Sequence, residues 1–287
     1  MDRRLFLTQL SLGSIAMMTL SSFRNEIDAL GASDKMPVLF IGHGSPMNAI
    51  ENNEFSQAWK VVAKQLPTPK AILCVSAHWE TKGTKVTAMK LPKTIHDFGG
   101  FPQELFDKQY PAPGTPEFAT ETKSIIKKTS VELDMEWGLD HGTWSVLAPM
   151  FPDAKIPVYQ FSLDYTQGPQ YHYELAKELA ALRRKGVLII GSGNIVHNLG
   201  MMQWSEKSYD WAIEFDAMAA KFIEEGNHKS LINYKDLGKS ANLAIPSNEH
   251  YLPMLYTLAL QEKNEHAAFF AAKTLMGSIS MRSFKIG

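Results

Sequence analysis

The sequence predicts an α/β fold, in which a single layered domain has a central, mostly parallel or mixed sheet flanked by helices. From Met36 onward, apolar runs typical of strands alternate with segments of helical periodicity, which is the pattern of a layered α/β domain. The 287 residues are 45% hydrophobic, which is enough to bury one large core. Because no internal repeat or low-complexity tract divides the chain, we expect one domain over residues 35–287.

Seven strands and six helices are predicted from the hydrophobic pattern. Short apolar runs such as Val38–Ile41 and Val187–Ile190 are typical of buried strands. Thr115 followed by Pro116 resembles a helix N-cap with proline at the first helical position. The strands are expected at residues 37–42, 71–77, 84–89, 131–135, 157–163, 187–192 and 276–284, and the helices at 53–65, 116–129, 143–150, 170–185, 208–225 and 250–261.

The longest stretch without a clear element runs from Lys90 to Gly114. It holds four prolines and the pair Gly99-Gly100. Long loops in compact domains are usually functional, so we expect this loop to pack over the functional site.

The N-terminal segment, residues 1–34, is predicted to lie outside the domain. The pair Arg3-Arg4 precedes Leu5-Phe6-Leu7 and a modest apolar stretch that is too short to span a bilayer. This layout is typical of a twin-arginine export signal, and the alternative is a disordered or amphipathic leader. No cysteine directly follows the apolar stretch, which argues against a lipoprotein anchor. We expect a periplasmic protein without a stable membrane anchor, with a cytoplasmic location as the alternative.

Charge and cysteine content exclude several classes of partner and site. The formal net charge of −1 gives no field that would attract nucleic acid or an anionic membrane. Cys74 is the single cysteine, so a disulfide framework within the chain and a cysteine-rich zinc site are excluded. We therefore expect a small molecule as the partner; the sequence leaves open whether the chain forms a homo-oligomer.

Three histidines, His43, His78 and His197, come just after apolar runs that are predicted to be buried strands. In an open α/β sheet, ligands bind at the carboxyl ends of the strands, so three imidazoles there can converge on one point. Neutral imidazoles are good ligands for a borderline transition metal. Each histidine alone is equally compatible with an ordinary loop residue, but their recurrence favours a mononuclear metal site.

Other histidines are candidates for catalysis or for completing the metal site. His141 is predicted at a turn that enters an apolar helix, where it acts as a general acid or base or merely caps the helix. Glu249 and His250 open another helix, and either side chain can complete the coordination sphere. His197 comes after a glycine-rich turn, so it is either a metal ligand or an acid–base group.

The remaining candidates are assigned to the long loop or to structural roles. His96 lies in the loop and is expected to face the substrate. Ser45 and Ser192 are interpreted as turn residues, because neither glycine-rich run matches the nucleophile elbow of a serine hydrolase. The three other histidines, in polar or helical contexts, are expected to be structural or solvated: His172, His228 and His266.

Six separated motifs together resemble one known enzyme family. In chain order they read HGSP, SAHW, TIHDFGGFP, LDHGTW, SGNIVHNL and EHYLPMLY. This set resembles the class III extradiol ring-cleaving dioxygenases, and within them the DOPA 4,5-dioxygenase branch, relatives of the protocatechuate 4,5-dioxygenase catalytic subunit. The resemblance covers about residues 36–287, which would make this region an extradiol dioxygenase catalytic domain.

The resemblance implies roles for individual residues. His43 and His78 match the family's two N-terminal metal ligands, and His141 and His197 match active-site histidines that act in acid–base catalysis. Zinc-bound forms in this branch also use the positions that match His197 and His250. Better-known members use a glutamate at this motif, where Glu249 and His250 are adjacent; the DOPA 4,5-dioxygenase branch favours His250 as the last ligand.

The implied cofactor is one divalent metal ion, Zn²⁺ or Fe²⁺. The implied reaction inserts O₂ into a catechol such as DOPA and gives a muconic semialdehyde. His96 and Phe98, with Phe101, are expected to wall the substrate ring. The alternatives are a zinc-dependent hydrolase on the same metal site, or a non-enzymatic member that keeps the fold as a binding module.

Overall fold

The computed structural model describes residues 35–205 and 207–287. The predicted leader lies outside the described residues, so the export signal stays a prediction. Ten strands are found in the described part of the chain: β1 (Val38–Gly42), β2 (Ala71–Thr81), β3 (Thr84–Thr87), β4 (Val131–Asp134), β5 (Val158–Asp164), β6 (Val187–Gly193), β7 (Ala267–Phe270), β8 (Thr274–Leu275), β9 (Ile279–Ser280) and β10 (Ser283–Ile286).

Ten α-helices connect these strands in the same part of the chain. They are α1 (Glu54–Lys64), α2 (Gln103–Asp107), α3 (Pro116–Ile125), α4 (His141–Met150), α5 (Pro169–Lys177), α6 (Ala180–Arg183), α7 (Asp210–Glu224), α8 (His228–Ile232), α9 (Lys239–Ala244) and α10 (Leu252–Ala259). No helix among the described residues has the length and apolar character needed to cross a bilayer.

Eight strands form one mixed sheet in the order β4-β3-β5-β2-β6-β1-β10-β7. The central strands β5, β2, β6 and β1 run parallel, whereas β10 and β7 at one end and the β3–β5 contact are antiparallel. Helices pack on both faces, and each face has its own apolar core. Val38 and Phe40 of β1 enter one core, and Leu39 and Ile41 enter the other. Burial on both faces explains why the parallel strands are continuous apolar runs. The α/β fold class is confirmed.

The predicted strand at residues 276–284 is wrong, because the chain changes sheets within it. Strand β9 pairs with β8 in a separate two-stranded sheet, whereas β10 pairs with β1 and β7. Ser280, the last residue of β9, donates a hydrogen bond to Asp216, and Arg282, between β9 and β10, forms an ion pair with the same carboxylate. These polar contacts stabilise the change of direction between β9 and β10, which the hydrophobic pattern alone does not predict.

Two predicted helices end earlier than expected. The helix predicted at 170–185 divides into α5 and α6, because Glu178 and Leu179 bond to carbonyls three residues back and tighten the turn. The helix predicted at 116–129 ends at Ile125. Ile126 still donates to the carbonyl of Thr122, but the following backbone N–H groups, at Lys127 and Lys128, donate to the Glu178 side chain. The pattern also missed β7 and the short helices α2, α8 and α9.

Candidate metal centre

The first two candidate ligands, His43 and His78, lie toward the carboxyl ends of β1 and β2. His43 directly follows β1, and its backbone N–H continues the ladder by donating to Gly193 of β6 at 3.1 Å. His78 lies within β2, not past its end as predicted, because this strand continues to Thr81. The register of β2 against β5 shifts between Val75 and Glu80. Such a bulge redirects side chains, and His78 lies inside it.

Two of the three histidines predicted to converge, His43 and His78, lie close together. The Nε2 atoms of His43 and His78 are 3.1 Å apart. The ring of His250, which precedes α10, lies with its centroid 5.2 Å from that of His43 and 5.0 Å from that of His78. Two nitrogens on one tetrahedral zinc ion are about 3.3 Å apart for Zn–N bonds of about 2.0–2.1 Å. The His43–His78 spacing therefore fits two ligands of a single ion.

Two separate groups of side chains each present possible ligand atoms within 4.8 Å of one another. One group is His43, His78 and His141, and the other is His197, Glu249 and His250. The ring of His197 stacks on that of His250, with centroids 3.5 Å apart and an angle of 7° between planes. Nitrogen lone pairs lie in the ring plane, so those of two stacked rings run side by side and do not meet at one ion.

Hydrogen bonds fix the proton of His43. Its Nδ1 lies 3.0 Å from the hydroxyl of Ser192, which itself donates to the carbonyl of Gly142 at 2.5 Å. Because the single hydroxyl proton is already used, Ser192 accepts from His43. The ring proton is therefore on Nδ1, and the lone pair of Nε2 is free for a metal.

Carboxylates face the Nδ1 atoms of the other two converging rings. Glu249 Oε1 lies 3.2 Å from Nδ1 of His250, and Asp97 Oδ2 lies 3.5 Å from Nδ1 of His78. An ionised carboxylate only accepts hydrogen bonds, so Glu249 places the ring proton of His250 on Nδ1 and leaves Nε2 available. At its longer distance, the negative charge of Asp97 favours the same tautomer of His78. In this arrangement Glu249 orients the His250 ring by accepting a hydrogen bond from its Nδ1, on the side of the ring opposite Nε2.

Burial keeps these imidazoles neutral. Desolvation lowers the pKa values of His43 and His250 well below the ordinary value, and neighbouring imidazoles add to the effect. Burial also lowers the pKa of His78 to about 3 and that of His197 to about 4. Neutral rings carry the lone pairs that a metal needs, so ion binding at pH 7 does not have to displace protons from them.

The start of α4 is held by a buried acidic residue, Asp140. Its side chain accepts hydrogen bonds from the Ser76 hydroxyl at 2.7 Å, from the Gln160 amide at 2.6 Å and from the backbone N–H of Thr143 at 3.1 Å. Burial is the main reason that the pKa of Asp140 is raised. As N-cap of α4, Asp140 fixes the position of His141, which begins the helix rather than preceding it.

Two glycines let backbone and rings approach one another. A Cβ on Gly142 would lie 2.8 Å from Cδ2 of His78, and a Cβ on Gly193 would lie 2.1 Å from the carbonyl oxygen of His250. Both distances are too short for a side chain. Only glycine, which has no Cβ, therefore allows His78 and His250 to approach the centre at these two positions.

The long loop packs beside the centre, as predicted. The Phe98 ring lies 5.6 Å from that of His141 and 5.3 Å from that of Phe101. The Nε2–H of His96 donates to the carbonyl of Lys108 at 2.9 Å, and its role in facing the substrate stays a prediction. The loop therefore brings an aromatic wall to His141, while His96 is engaged within the loop itself.

Sequence reasoning missed two supporting residues. Ser192 was expected in a turn but lies buried in β6, where only strand pairing brings it to His43; Ser45 does lie in a turn, as the cap of a short 3-10 helix. Asp97 carried no predicted role, although its carboxylate contacts both His78 and His141. The sequence did offer one signal for Asp97, because it is an acidic residue between His96 and Phe98, two residues that were predicted to face the substrate.

Comparisons with known proteins agree with this geometry. Residues 37–281 match the family described as the catalytic LigB subunit of aromatic ring-opening dioxygenase. The chain is 45% identical over 266 residues to a protein of Escherichia coli K12 named 4,5-DOPA dioxygenase extradiol, covering 91% of this chain and 98% of the relative. A protein of Beta vulgaris with the same name is 35% identical over 267 residues, covering 89% and 98%.

A solved structure has the same fold. The crystal structure of an uncharacterized protein from Escherichia coli K12 superposes with a TM-score of 0.77 at 40% identity, covering 88% of this chain and all of that one. Dioxygenases of this kind use a single metal ion, which the histidine cluster is able to hold. The chain therefore belongs to the LigB family of aromatic ring-opening dioxygenases and is an oxidoreductase.

Proposed function

We propose that this enzyme inserts both atoms of O₂ into a catechol such as DOPA, opening the ring beside the diol to give a muconic semialdehyde. The observation that carries the proposal is the convergence of His43 and His78, whose Nε2 atoms lie 3.1 Å apart beside an aromatic wall. The names of the relatives at 45% and 35% identity support DOPA as the substrate.

His43, His78 and His250 are the proposed metal ligands. In each ring a hydroxyl or carboxylate oxygen faces Nδ1, which favours a proton there and a free Nε2. Three protein ligands leave coordination positions open, as a catalytic site requires. The all-histidine set suits Zn²⁺ as well as Fe²⁺, and we propose Fe²⁺ for turnover because the reaction with O₂ needs a redox-active ion. When bound, this ion supplies the centre at which catechol and dioxygen react.

His197 and His141 are the proposed acid–base pair. Stacking on His250 directs the His197 lone pairs beside the centre rather than into it, which favours an acid–base role over ligation. One of the two histidines takes a phenolic proton from the catechol, and the other returns a proton as the ring opens. Phe98 contributes an apolar surface for the ring and excludes water beside His141.

Oxygen uptake with simultaneous absorbance tests this function. The purified protein is loaded anaerobically with Fe²⁺ and mixed with L-DOPA; a matched sample carries Zn²⁺. Stoichiometric uptake with a new yellow product is expected only with Fe²⁺, and it should be lost in His43→Ala. If the Fe²⁺ protein consumes no oxygen with L-DOPA or another catechol, the proposed reaction is wrong.

We also propose that residues 1–34 export the folded enzyme to the periplasm. The pair Arg3-Arg4 before an apolar stretch supports this. The test is cell fractionation of the parent and of a double variant with lysine at both arginines. We expect the parent in the periplasmic fraction and the variant in the cytoplasmic fraction. A parent confined to the cytoplasm would contradict export.

A further inference from the structure

Beyond the ligands and the acid–base pair, we infer that Asp97 is the positioning residue that fixes the ring protons of both His141 and His78. The inference rests on the proposed function only where it concerns proton transfer by His141. It concerns one carboxylate in the long loop, outside the strands that supply the ligands.

Asp97 reaches His141 with both oxygens. Oδ1 accepts the backbone N–H of His141 at 2.9 Å, and Oδ2 lies 3.0 Å from its Nδ1. That nitrogen is buried and has no aligned hydrogen-bond partner within the described residues, so the nearby Oδ2 is the acceptor proposed for its proton. The same Oδ2 lies 3.5 Å from Nδ1 of His78, whose ring centroid is 3.8 Å from that of His141. One oxygen thus lies within ion-pair distance of two adjacent rings.

This contact determines which nitrogen of each ring is free. A carboxylate accepts only, so both rings keep their proton on Nδ1. His78 then presents Nε2 to the metal, and His141 presents an unprotonated Nε2, which makes His141 the proton acceptor of the pair. A carboxylate that orients an imidazole in this way holds both its tautomer and its direction.

The loop holds Asp97 firmly from both sides. On one side, the indole N–H of Trp144 donates to the carbonyl of Ile95 at 2.8 Å. His96 donates to Lys108, and on the other side Phe98 packs against Trp144 with centroids 6.1 Å apart. The carboxylate therefore needs no rearrangement to reach the two histidines.

The test is Asp97→Asn, which keeps the size and shape of the side chain but replaces one acceptor oxygen by an N–H₂ donor. The amide oxygen stays on the backbone N–H of His141, which places the amide N–H₂ against both Nδ1 atoms. Both rings must then accept at Nδ1 and carry their proton on Nε2. We expect Zn²⁺ affinity to fall about 10–100-fold and kcat of the Fe²⁺ enzyme to fall at least about 100-fold, with KM for the catechol changed little.

Nitrogen-15 NMR of histidine-labelled, metal-free protein reads the tautomers directly, without turnover. The parent should show His141 protonated on Nδ1, and Asp97→Asn should show it protonated on Nε2. Asp107→Asn, in an exposed part of the same loop, should leave tautomers, Zn²⁺ affinity and kcat unchanged. An unchanged His141 tautomer in Asp97→Asn would overturn the inference. If the tautomer changes but the parent does not consume oxygen with catechols, the proposed function fails and the positioning role stands.

Discussion

Removal of the Ser192 hydroxyl, which orients His43, should weaken metal binding more than removal of the Ser45 hydroxyl does. In Ser192→Ala, Nδ1–H of the buried His43 loses its acceptor, and the carbonyl of Gly142 loses its donor. Each buried polar group left without a partner costs about 1–3 kcal/mol. We expect the free energy of unfolding of the metal-free protein to fall by about 2–4 kcal/mol.

The metal effect is separate from this loss of stability. Without Ser192, the ring proton of His43 is free to move to Nε2, and the loss of such an outer hydrogen bond lowers affinity about 10–100-fold. Competition with a chromophoric zinc chelator measures the dissociation constant, and urea unfolding measures stability. Ser45→Ala is the matched control: this serine caps the short helix after His43, so stability falls slightly and affinity does not change. Zn²⁺ affinity in Ser192→Ala within threefold of the parent would refute the reasoning.

Three further predictions concern the ligands and the core. His250→Ala should abolish stoichiometric metal binding, whereas Glu249→Gln should only weaken it about 10–100-fold; equal metal loss by dialysis and metal analysis of both variants would mean that Glu249 is itself a ligand. In Gly142→Ala, the new Cβ would lie 2.8 Å from the His78 ring, so we expect His78 to be displaced and the metal affinity to fall. The control variant Ser45→Ala should keep the parental affinity. Burial lowers the pKa of His172 to about 4, so between about pH 6.5 and pH 4 the unfolded chain binds a proton that the folded protein does not, and unfolding becomes easier by up to about 3 kcal/mol. The pH dependence of urea unfolding should be shallower in His172→Gln, and an identical slope in both proteins would contradict this assignment.

The sequence predicted the sheet and the meeting of the histidines because both depend on local patterns. The apolar runs of β1 and β6 are buried on both faces, and the turn after β1 puts His43 at the carboxyl edge. What could not be predicted depends on pairing between distant segments. Ser192 reaches His43 only because β6 lies beside β1, and Asp97 reaches His141 only because the long loop folds back on α4.

The same limit explains the errors in the fold. The β2 bulge that holds His78 arises from a register shift against β5, which no single segment encodes. The break between β9 and β10 depends on Asp216, which is supplied by α7. Local periodicity identifies where apolar residues lie, but it does not reveal which remote side chain satisfies a polar one.

Strand β6 lies between β1 and β2, so the proposed ligands on either side are joined only through a sheet that has already formed. His43, His78 and His250 are far apart in the sequence, and an unfolded chain offers no assembled site. Metal binding and folding are therefore thermodynamically linked: an ion present at about 1,000 times its dissociation constant adds about 4 kcal/mol to the stability of the folded state. The ions available where this chain folds then decide which metal it first captures.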